Sequence, residues 1–304
     1  MRFNSAALLT ATIVAIVAGF SAPAPADAGE RLDRIVAEKR IRLGVRADAP
    51  PFAAIRDGKA TGFSVDLCRQ VAVAAMAATG LDALDATVVP VETQDRFKAI
   101  EEGRIDILCG AATATLKRRE IVSFSLPIFS TGVSAVVAAD APDLLKEILV
   151  TVGPAASSEA AIAEAFRDKT VGVRANTTAA DWLSHGPLVK LDAVTIREVE
   201  NHAAGLAAVA SGEMAAYFAD KAILLGVLRQ TPPAGKPLVL SAASFTREPY
   251  ALALPRSDED LRLVVDRALS RLYRDGSILK LYERHFGKPS SEVLLFYTMI
   301  ALPE

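Results

Sequence analysis

The sequence predicts an α/β protein of two lobes, and three observations support that class. Short apolar runs typical of buried strands alternate with segments of helical periodicity from residue 31 onward. Such alternation predicts parallel sheets covered by helices. The chain has 304 residues, 51% of them hydrophobic, which is enough for two cores. Because no low-complexity linker separates the halves, we expect the lobes to be joined by strand-like crossovers.

The first half of the chain predicts three strands joined by two helices. Apolar runs predict the strands at residues 40–45, 86–91 and 104–110. Helical periodicity covers residues 64–79, where Ser64 or Asp66 would cap the N-terminus, and a shorter helix at 93–103 ends at glycine. Asp57-Gly58 between the first strand and the first helix predicts a turn.

The second half repeats this alternation. Strands are predicted at 132–139, 193–199, 214–220 and 250–255, and a strand, loop and helix within 169–183. Further helices are predicted at 155–166 and 202–213. Residues 258–287 predict two amphipathic helices divided at Asp-Gly-Ser. We expect the apolar tail at 290–304 to pack against the first lobe.

The N-terminus has the features of a secretory signal peptide. Arg2 supplies the positive start, the apolar run AALLTATIVAIVAGF follows, and Ala26-Asp27-Ala28 is a suitable cleavage site. The alternative is a membrane anchor, but the run is short for a span of roughly 20 residues. We therefore predict a signal peptide at residues 1–28 and a mature protein exported to a bacterial periplasm.

The composition argues against several classes of partner. The formal net charge of −2 gives no electrostatic case for nucleic acid. Aromatic residues make up only 6% of the chain, which does not suggest a stacking surface for single strands. Export makes a Cys68–Cys109 disulfide plausible, with two buried thiols as the alternative. We expect no metal site, because only three histidines could join these cysteines.

The stretch CGAATATLKRRE places small hydroxyl residues before an arginine, directly after a predicted strand. Arg118 can offer two parallel donors to a carboxylate. A strand end followed by a helix start adds backbone N–H groups that favour an anion, and Thr115 in the same turn could donate another bond. The alternative for Arg118 is a solvated arginine beside Lys117 and Arg119.

A set of segments resembles the family 3 extracellular solute-binding proteins, the polar amino-acid receptors of ABC importers. In order, they are LGVRADAPPFA, DGKATGFSVDLCRQVA, RFKAIEEGRIDILCGAATATLKRREIVSFSLPIF, TVGVRANTTAADWL, SGEMAAYFADKAILL and LYRDGSILKLYERHFG. The ordered set covers most of the chain after residue 31. The resemblance implies a two-lobed Venus-flytrap fold of type II with two crossover strands at the hinge. It implies a first lobe of residues 31–131 and 250–304 and a second lobe of residues 132–249.

The resemblance also assigns roles to particular residues. Arg118 would bind the ligand α-carboxylate, and Thr113 matches a position that also contacts the ligand. Thr177 and Thr178 would contact the carboxylate from the second lobe. Many family members have glycine where Asn176 stands, and asparagine tolerates positive φ better than most residues. Asp220 matches the acid that binds the α-amino group, with a helix N-cap as the competing role.

Side-chain specificity rests on Arg46 and His202. Arg46 matches a position that faces the ligand side chain, and an arginine there resembles the glutamate/aspartate receptors. His202 matches a ligand-contacting histidine of those receptors, with a helix-cap histidine as the alternative. An acidic amino acid is therefore the leading ligand. The competing interpretation is that Arg46 bonds within its own lobe and is neutralised by Asp48.

We accordingly predict a monomeric receptor that binds an amino acid in the interlobe cleft and delivers it to an ABC permease, without a cofactor and without catalysis. The runner-up is a cyclohexadienyl or prephenate dehydratase on the same fold, for which Glu92 is the acid to test. A sensor or channel ectodomain is the third class, and the sequence offers no second membrane segment or signalling domain in its favour.

Overall fold

A computed structural model describes residues 29–186, 194–256 and 258–304. The predicted signal peptide at residues 1–28 lies outside the described residues, as does residue 193, the first of a predicted strand. Over the described ranges, none of the helices combines the length and apolar character that a membrane span requires.

The N-terminal part of the chain supplies seven strands and four helices. In chain order they are α1 (Glu30–Glu38), β1 (Arg40–Val45), β2 (Asp48–Ala49), β3 (Ala53–Arg56), β4 (Lys59–Thr61), α2 (Phe63–Thr79), β5 (Asp85–Pro90), α3 (Arg96–Glu101), β6 (Ile107–Leu108), α4 (Leu116–Arg119) and β7 (Val122–Thr131). The segments β2 to β4 form a small antiparallel sheet, with the predicted Asp57-Gly58 turn between its last two strands.

The middle of the chain continues with β8 (Val133–Ala138), α5 (Asp143–Lys146), a π-helical segment (Glu147–Val152), a 3₁₀ turn (Pro154–Ala156), α6 (Glu159–Phe166), β9 (Lys169–Arg174), α7 (Thr178–His185), β10 (Val194–Val199), α8 (His202–Ser211), β11 (Ala216–Asp220), α9 (Lys221–Gln230) and β12 (Leu238–Leu240). The chain ends with β13 (Glu248–Pro255), α10 (Glu259–Arg274), α11 (Ser277–Phe286) and α12 (Ser291–Ile300).

Two five-stranded sheets form the cores of the two lobes, which confirms the predicted two-lobed α/β class. The first sheet has the order β5-β1-β6-β13-β7, and the second has the order β10-β9-β11-β8-β12. The chain passes from the first sheet to the second between β7 and β8, and returns between β12 and β13.

The sheets are mixed, whereas the strand–helix alternation predicted parallel ones. The strands β5, β1 and β6 run parallel, as do β10, β9 and β11. The strands next to the crossovers run against them: β13 is antiparallel to β6 and β7, and β8 is antiparallel to β11 and β12. A chain that arrives from the other lobe needs no crossover helix, so it can enter a sheet in the opposite direction.

Helix α2 packs against the first sheet in a way that requires a glycine at its start. Gly62 has φ of +130°, and a Cβ there would lie 2.3 Å from the carbonyl oxygen of Phe52. The buried face of the helix carries Cys68, which forms a disulfide with Cys109 just beyond β6. This bond ties the helix to the end of a central strand.

The apolar tail forms helix α12, which packs on α10 of the first lobe as expected. Tyr297 is buried, and its hydroxyl donates to the carbonyl oxygen of Ile128 at 2.8 Å. The hydroxyl of Ser270 on α10 donates to the carbonyl oxygen of Leu302. The opposite side of the tail leaves Leu295 and Met299 exposed.

The lobes contact each other directly across the cleft. Gly226 on α9 lies so close to Pro50 of the first lobe that a Cβ would meet the Pro50 carbonyl oxygen at 2.3 Å. Arg56 donates to the side-chain oxygen of Gln230 at 2.5 Å. These contacts describe a closed arrangement, with the cleft between the carboxyl ends of the parallel strands.

Candidate functional site

A small cavity lies between the lobes and is lined mainly by polar side chains. The lining comprises Arg46, Arg96, Ala111, Thr113, Arg118, Thr177, Thr178, Ala179, His202, Ala219, Asp220 and Ile223. Seven of the eight predicted ligand-binding residues are therefore brought together. The exception is Thr115, which does not line the cavity: its Oγ1 accepts from the Arg118 N–H as the N-cap of α4.

The topology explains why these residues meet. Arg46 directly follows β1, and Thr113 and Arg118 lie in the segment after β6. Thr177 precedes α7 just beyond β9, and Asp220 ends β11. The carboxyl ends of these parallel strands meet at one edge of each sheet, which is where open α/β sheets bind ligands.

Arg118 keeps its guanidinium in the cavity without an acidic partner among the residues described. Its Nη1 donates to the Thr113 carbonyl oxygen at 2.9 Å, and the guanidinium carbon lies 5.2 Å from the centre of the Phe97 ring. Burial lowers the pKa of Arg118, and the nearby Glu248 carboxylate opposes this. The predicted alternative of a solvated arginine does not describe this partly buried group.

Arg96 is a second cation of the cavity, and no pattern in the sequence pointed to it. It is only 3% exposed, and its guanidinium donates to the carbonyl oxygens of Thr93 and, at 3.0 Å, of Asn176 in the other lobe. Its Nε has no partner among the described residues. Burial lowers its pKa well below the usual value, and repulsion by Arg118 and Arg46 adds to this. A buried cation in this state favours an incoming anion.

Arg46 is compensated within the protein. Its Nε and Nη2 donate to Asp48 Oδ1 at 3.3 and 3.1 Å. The second oxygen of Asp48 meets the guanidinium of Arg174, which belongs to the other lobe. Burial lowers the pKa of Arg174 to about 10. Asp48 is therefore paired with two arginines from opposite lobes. Its pairing with Arg46 within the first lobe agrees with the competing interpretation of Arg46.

Asp220 is the acid that lines the cavity. Its Oδ1 has no partner among the described residues, and its side chain does not cap α9, so the predicted capping role is not realised. Burial raises the pKa of Asp220 to about 7, with the Glu248 carboxylate as the next cause. Tyr250, Arg118 and Arg46 act in the opposite direction. A further positive group that enters the cavity would therefore stabilise the charged form of this carboxylate.

His202 lies at the start of α8 and is buried. Its Nδ1 is paired with the Tyr217 hydroxyl at 2.9 Å, whereas Nε2 has no partner among the residues described. The helix is capped by Asn201 and not by the imidazole. Burial, together with Arg46 and Arg174, holds the pKa of His202 well below its usual range. The imidazole is therefore neutral at neutral pH.

The threonines are already hydrogen-bonded to protein groups. Thr113 and Thr178, from opposite lobes, both donate to Glu248 Oε2 at 2.8 and 2.6 Å. Thr177 donates to the Arg174 carbonyl oxygen and accepts from the Ala180 N–H. Glu248 was missed by the sequence analysis, because its only signal is its position at the first residue of the returning crossover strand.

The turn before Thr177 adopts the conformation that asparagine tolerates. Asn176 has φ of 58°, in the left-handed region that family members with glycine reach without strain. In this turn the carbonyl oxygen of Asn176 accepts a hydrogen bond from Arg96 of the first lobe. Asparagine at this position therefore retains the turn.

A closed cleft between two mixed α/β lobes, lined by buried arginines and one unpaired acid, defines a two-lobed binding protein for a small polar solute. The family described as bacterial extracellular solute-binding proteins, family 3, matches residues 41–288. The chain belongs to this family, and the predicted resemblance is confirmed. The match ends before α12.

The chain is similar to characterised binding proteins along most of its length. It is 25% identical over 282 residues to the L-cystine-binding protein TcyJ of Escherichia coli K12, covering 92% of this chain and 95% of TcyJ. It is 28% identical over 297 residues to the L-glutamate/L-aspartate-binding protein of Pseudomonas aeruginosa, covering 95% and 90%.

Among solved structures, it resembles the ancestral amino acid-binding protein AncCDT-1, described as a precursor of cyclohexadienyl dehydratase. The TM-score is 0.68 and the identity 26%, and the similarity covers 84% of this chain and 99% of that one.

Proposed function

We propose that this protein is a periplasmic receptor that binds an acidic amino acid in the interlobe cleft and delivers it to an ABC permease. One observation carries the proposal: Arg96 and Arg118 both line the cavity without an acidic partner among the described residues. The unpaired oxygen of Asp220 lies in the same cavity. Two cations and one acid complement an amino acid that carries two carboxylates and one ammonium group.

The roles follow from the charges. Arg118 would bind the α-carboxylate and Asp220 the α-amino group. Arg96 would bind the side-chain carboxylate and replaces Arg46 as the proposed selector, because Arg46 is already paired with Asp48. His202 would present Nε2 to the ligand, since its other nitrogen is paired with Tyr217.

Some of the relatives support a ligand with two carboxylates, and others are described as binding glutamine or histidine. Glutamate, aspartate and cystine each carry two carboxylates, and binding proteins for all three resemble this chain. Cystine also carries a second ammonium group, which needs a second free acid. In the part of the chain described, Asp48 and Glu248 are occupied by arginine and threonine partners. The charges of glutamate or aspartate therefore match those of the cavity better than the charges of cystine do.

Ligand binding would be coupled to closure of the lobes. Bringing Arg96 and Arg118 together in the closed cavity without an anion removes water from charges that lack counterions, at a cost of several kcal/mol per ion. A ligand that pairs with these groups binds the closed form preferentially and shifts the hinge equilibrium. The permease would then recognise the closed monomer.

A thermal-shift and calorimetric screen of the ligand-stripped mature protein against the common amino acids tests this proposal. We expect glutamate or aspartate to raise the unfolding temperature most. In Arg96→Met, the ratio of glutamate to glutamine affinity should fall at least roughly tenfold, because only glutamate carries the second carboxylate. Arg46→Met should weaken both ligands alike. If Arg46→Met alone changed the ratio, the selector would be Arg46 after all.

The runner-up function is a dehydratase, favoured by two observations. AncCDT-1 is described as a precursor of such an enzyme, and Asp220 is a buried carboxyl with a pKa of about 7. Glu92, the acid suggested by the sequence, is exposed and does not line the cavity. Asp220 would therefore be the catalytic acid of such an enzyme, and it lies beside cationic groups in the cavity. Incubation with prephenate and detection of product decides between the two functions.

A further inference from the structure

Glu248 is the first residue of the strand that returns to the first lobe, and its carboxylate joins the two lobes. It is only 7% exposed. Its Oε2 accepts from Thr113 of the first lobe and from Thr178 of the second, at 2.8 and 2.6 Å. Its Oε1 accepts from Thr246, whose hydroxyl in turn accepts from the Val133 N–H. Among the described residues, each hydrogen bond to this carboxylate comes from a hydroxyl group.

These contacts determine what the threonines can offer to a ligand. A hydroxyl group has one proton, and an ionised carboxylate can only accept. Thr113 and Thr178 therefore give their protons to Glu248 and face the cavity as acceptors. Thr177 gives its proton to the Arg174 carbonyl oxygen. The threonine hydroxyls of the cavity thus have no proton left for a ligand carboxylate.

The acceptors converge on one region of the cavity. Thr113 and Thr178 lie close together because both are bonded to the same oxygen atom, and Asp220 lines the same cavity with an unpaired oxygen. An ammonium group has three N–H donors, and three oxygens that face one cavity could accept them. The carboxylates of a ligand would then bind the guanidinium groups and backbone N–H groups.

We propose that Glu248 is a positioning residue that fixes the direction of the Thr113 and Thr178 hydroxyls and thereby selects ligands that carry an ammonium group. This inference rests on the proposed function, since it assigns the ammonium end of an amino acid. It reverses the role expected for Thr178, which the family resemblance assigned to the carboxylate.

The test compares L-glutamate with glutarate, which has the same carbon chain and two carboxylates but no ammonium group. In Glu248→Met both acceptor oxygens are lost, and the hydroxyls can turn their protons toward the cavity. The preference for L-glutamate over glutarate should fall roughly tenfold to a hundredfold, the range for one lost hydrogen bond to a charged group. In the matched control Glu248→Gln, the amide oxygen still accepts from both threonines, so the preference should stay within about threefold.

Several results separate this role from a merely structural one. Equal weakening of L-glutamate and glutarate in Glu248→Met would overturn the proposal, as would an unchanged preference. Should Glu248→Met fail to fold, Thr178→Val removes one acceptor while retaining the carboxylate, and the same loss of preference is expected. L-glutamine and glutaramate form a second probe pair with the same logic. If the unmodified protein bound none of L-glutamate, L-aspartate and L-glutamine, the proposed function itself would fail, whereas binding with an unaltered preference in both variants refutes only the role of Glu248.

Discussion

Lowering the pH below neutrality should weaken amino-acid binding through Asp220. Burial and the neighbouring Glu248 carboxylate raise the pKa of Asp220 to about 7 in the ligand-free protein. An ammonium group needs the charged carboxylate, so the protonated fraction must lose its proton before it binds. His202 does not contribute in this range, because burial holds its pKa well below the usual value.

The size of the effect follows from this pKa. With a pKa of about 7, roughly nine-tenths of the carboxyl is charged at pH 8 and roughly one-tenth at pH 6. The affinity for an amino acid should therefore fall about tenfold between these two values. Another factor of roughly ten should be lost between pH 6 and pH 5.

Isothermal titration calorimetry between pH 5 and pH 8 measures this dependence, with Asp220→Asn as the matched control. Asparagine does not titrate, so the variant should bind more weakly at pH 8 and with little change across the range. Glutarate, which lacks the ammonium group, should not show the tenfold loss between pH 8 and pH 6. A pH-independent affinity for L-glutamate, or the same slope in Asp220→Asn, would refute the reasoning.

The same pKa shift affects the stability of the ligand-free protein with the opposite dependence. The folded protein holds a proton on Asp220 between the unfolded pKa of about 4 and the folded pKa of about 7. The contribution is therefore fully present below pH 4 and is lost as the pH rises through 7. It amounts to about 4 kcal/mol, at 1.4 kcal/mol per pH unit. The difference between the unfolding free energies of the wild-type protein and Asp220→Asn, followed across this pH range, isolates the contribution of Asp220.

Three further predictions test separate parts of the molecule. Arg118→Ala should weaken amino-acid binding at least roughly a hundredfold in calorimetry while the circular dichroism spectrum is retained, because the α-carboxylate loses its cation; unchanged affinity would remove Arg118 from the site. Replacing Cys68 and Cys109 by alanine opens a cross-link over 41 residues and should lower the urea unfolding free energy by roughly 4 kcal/mol, whereas an equal midpoint would show that the bond does not form. Gly226→Ala puts a methyl group against the Pro50 carbonyl, so small-angle scattering with ligand should give a larger radius of gyration and calorimetry a weaker affinity.

Much of the fold could be predicted from local patterns. The alternation of apolar runs and helical segments identified most of the strands and helices, since burial on both faces makes strands such as β8 continuously apolar. The direction of β8 and β13 could not be read in this way, because it depends on which lobe the chain arrives from. The strand β7 was also missed, since it contains polar residues and a proline within an edge position of the sheet.

The site residues that could be predicted are charged residues that lie at, or shortly after, the end of a predicted strand. Arg118 and Asp220 meet that condition, and both line the cavity. Arg96 did not stand out, because it lies at the start of a short helix among ordinary polar residues. Its role depends on burial and on the Asn176 carbonyl of the other lobe, a long-range contact that no local pattern contains. Glu248 was missed for the same reason, since Thr113 and Thr178, which it joins across the cleft, are 135 and 70 residues away.

Under the proposed function, the charges of the cleft would link closure to selectivity. Asp48 is paired with both Arg46 and Arg174, whereas the hydrogen-bond acceptors of Arg96 and Arg118 among the described residues are carbonyl oxygens. A neutral amino acid would bring one carboxylate and leave one of these two guanidinium groups buried without a counterion. An acidic amino acid brings two carboxylates and compensates both. Because an uncompensated buried charge costs several kcal/mol, the same pair of arginines would oppose closure on the wrong ligand and favour it on the right one. Selectivity would then arise from the cost of closing the cleft.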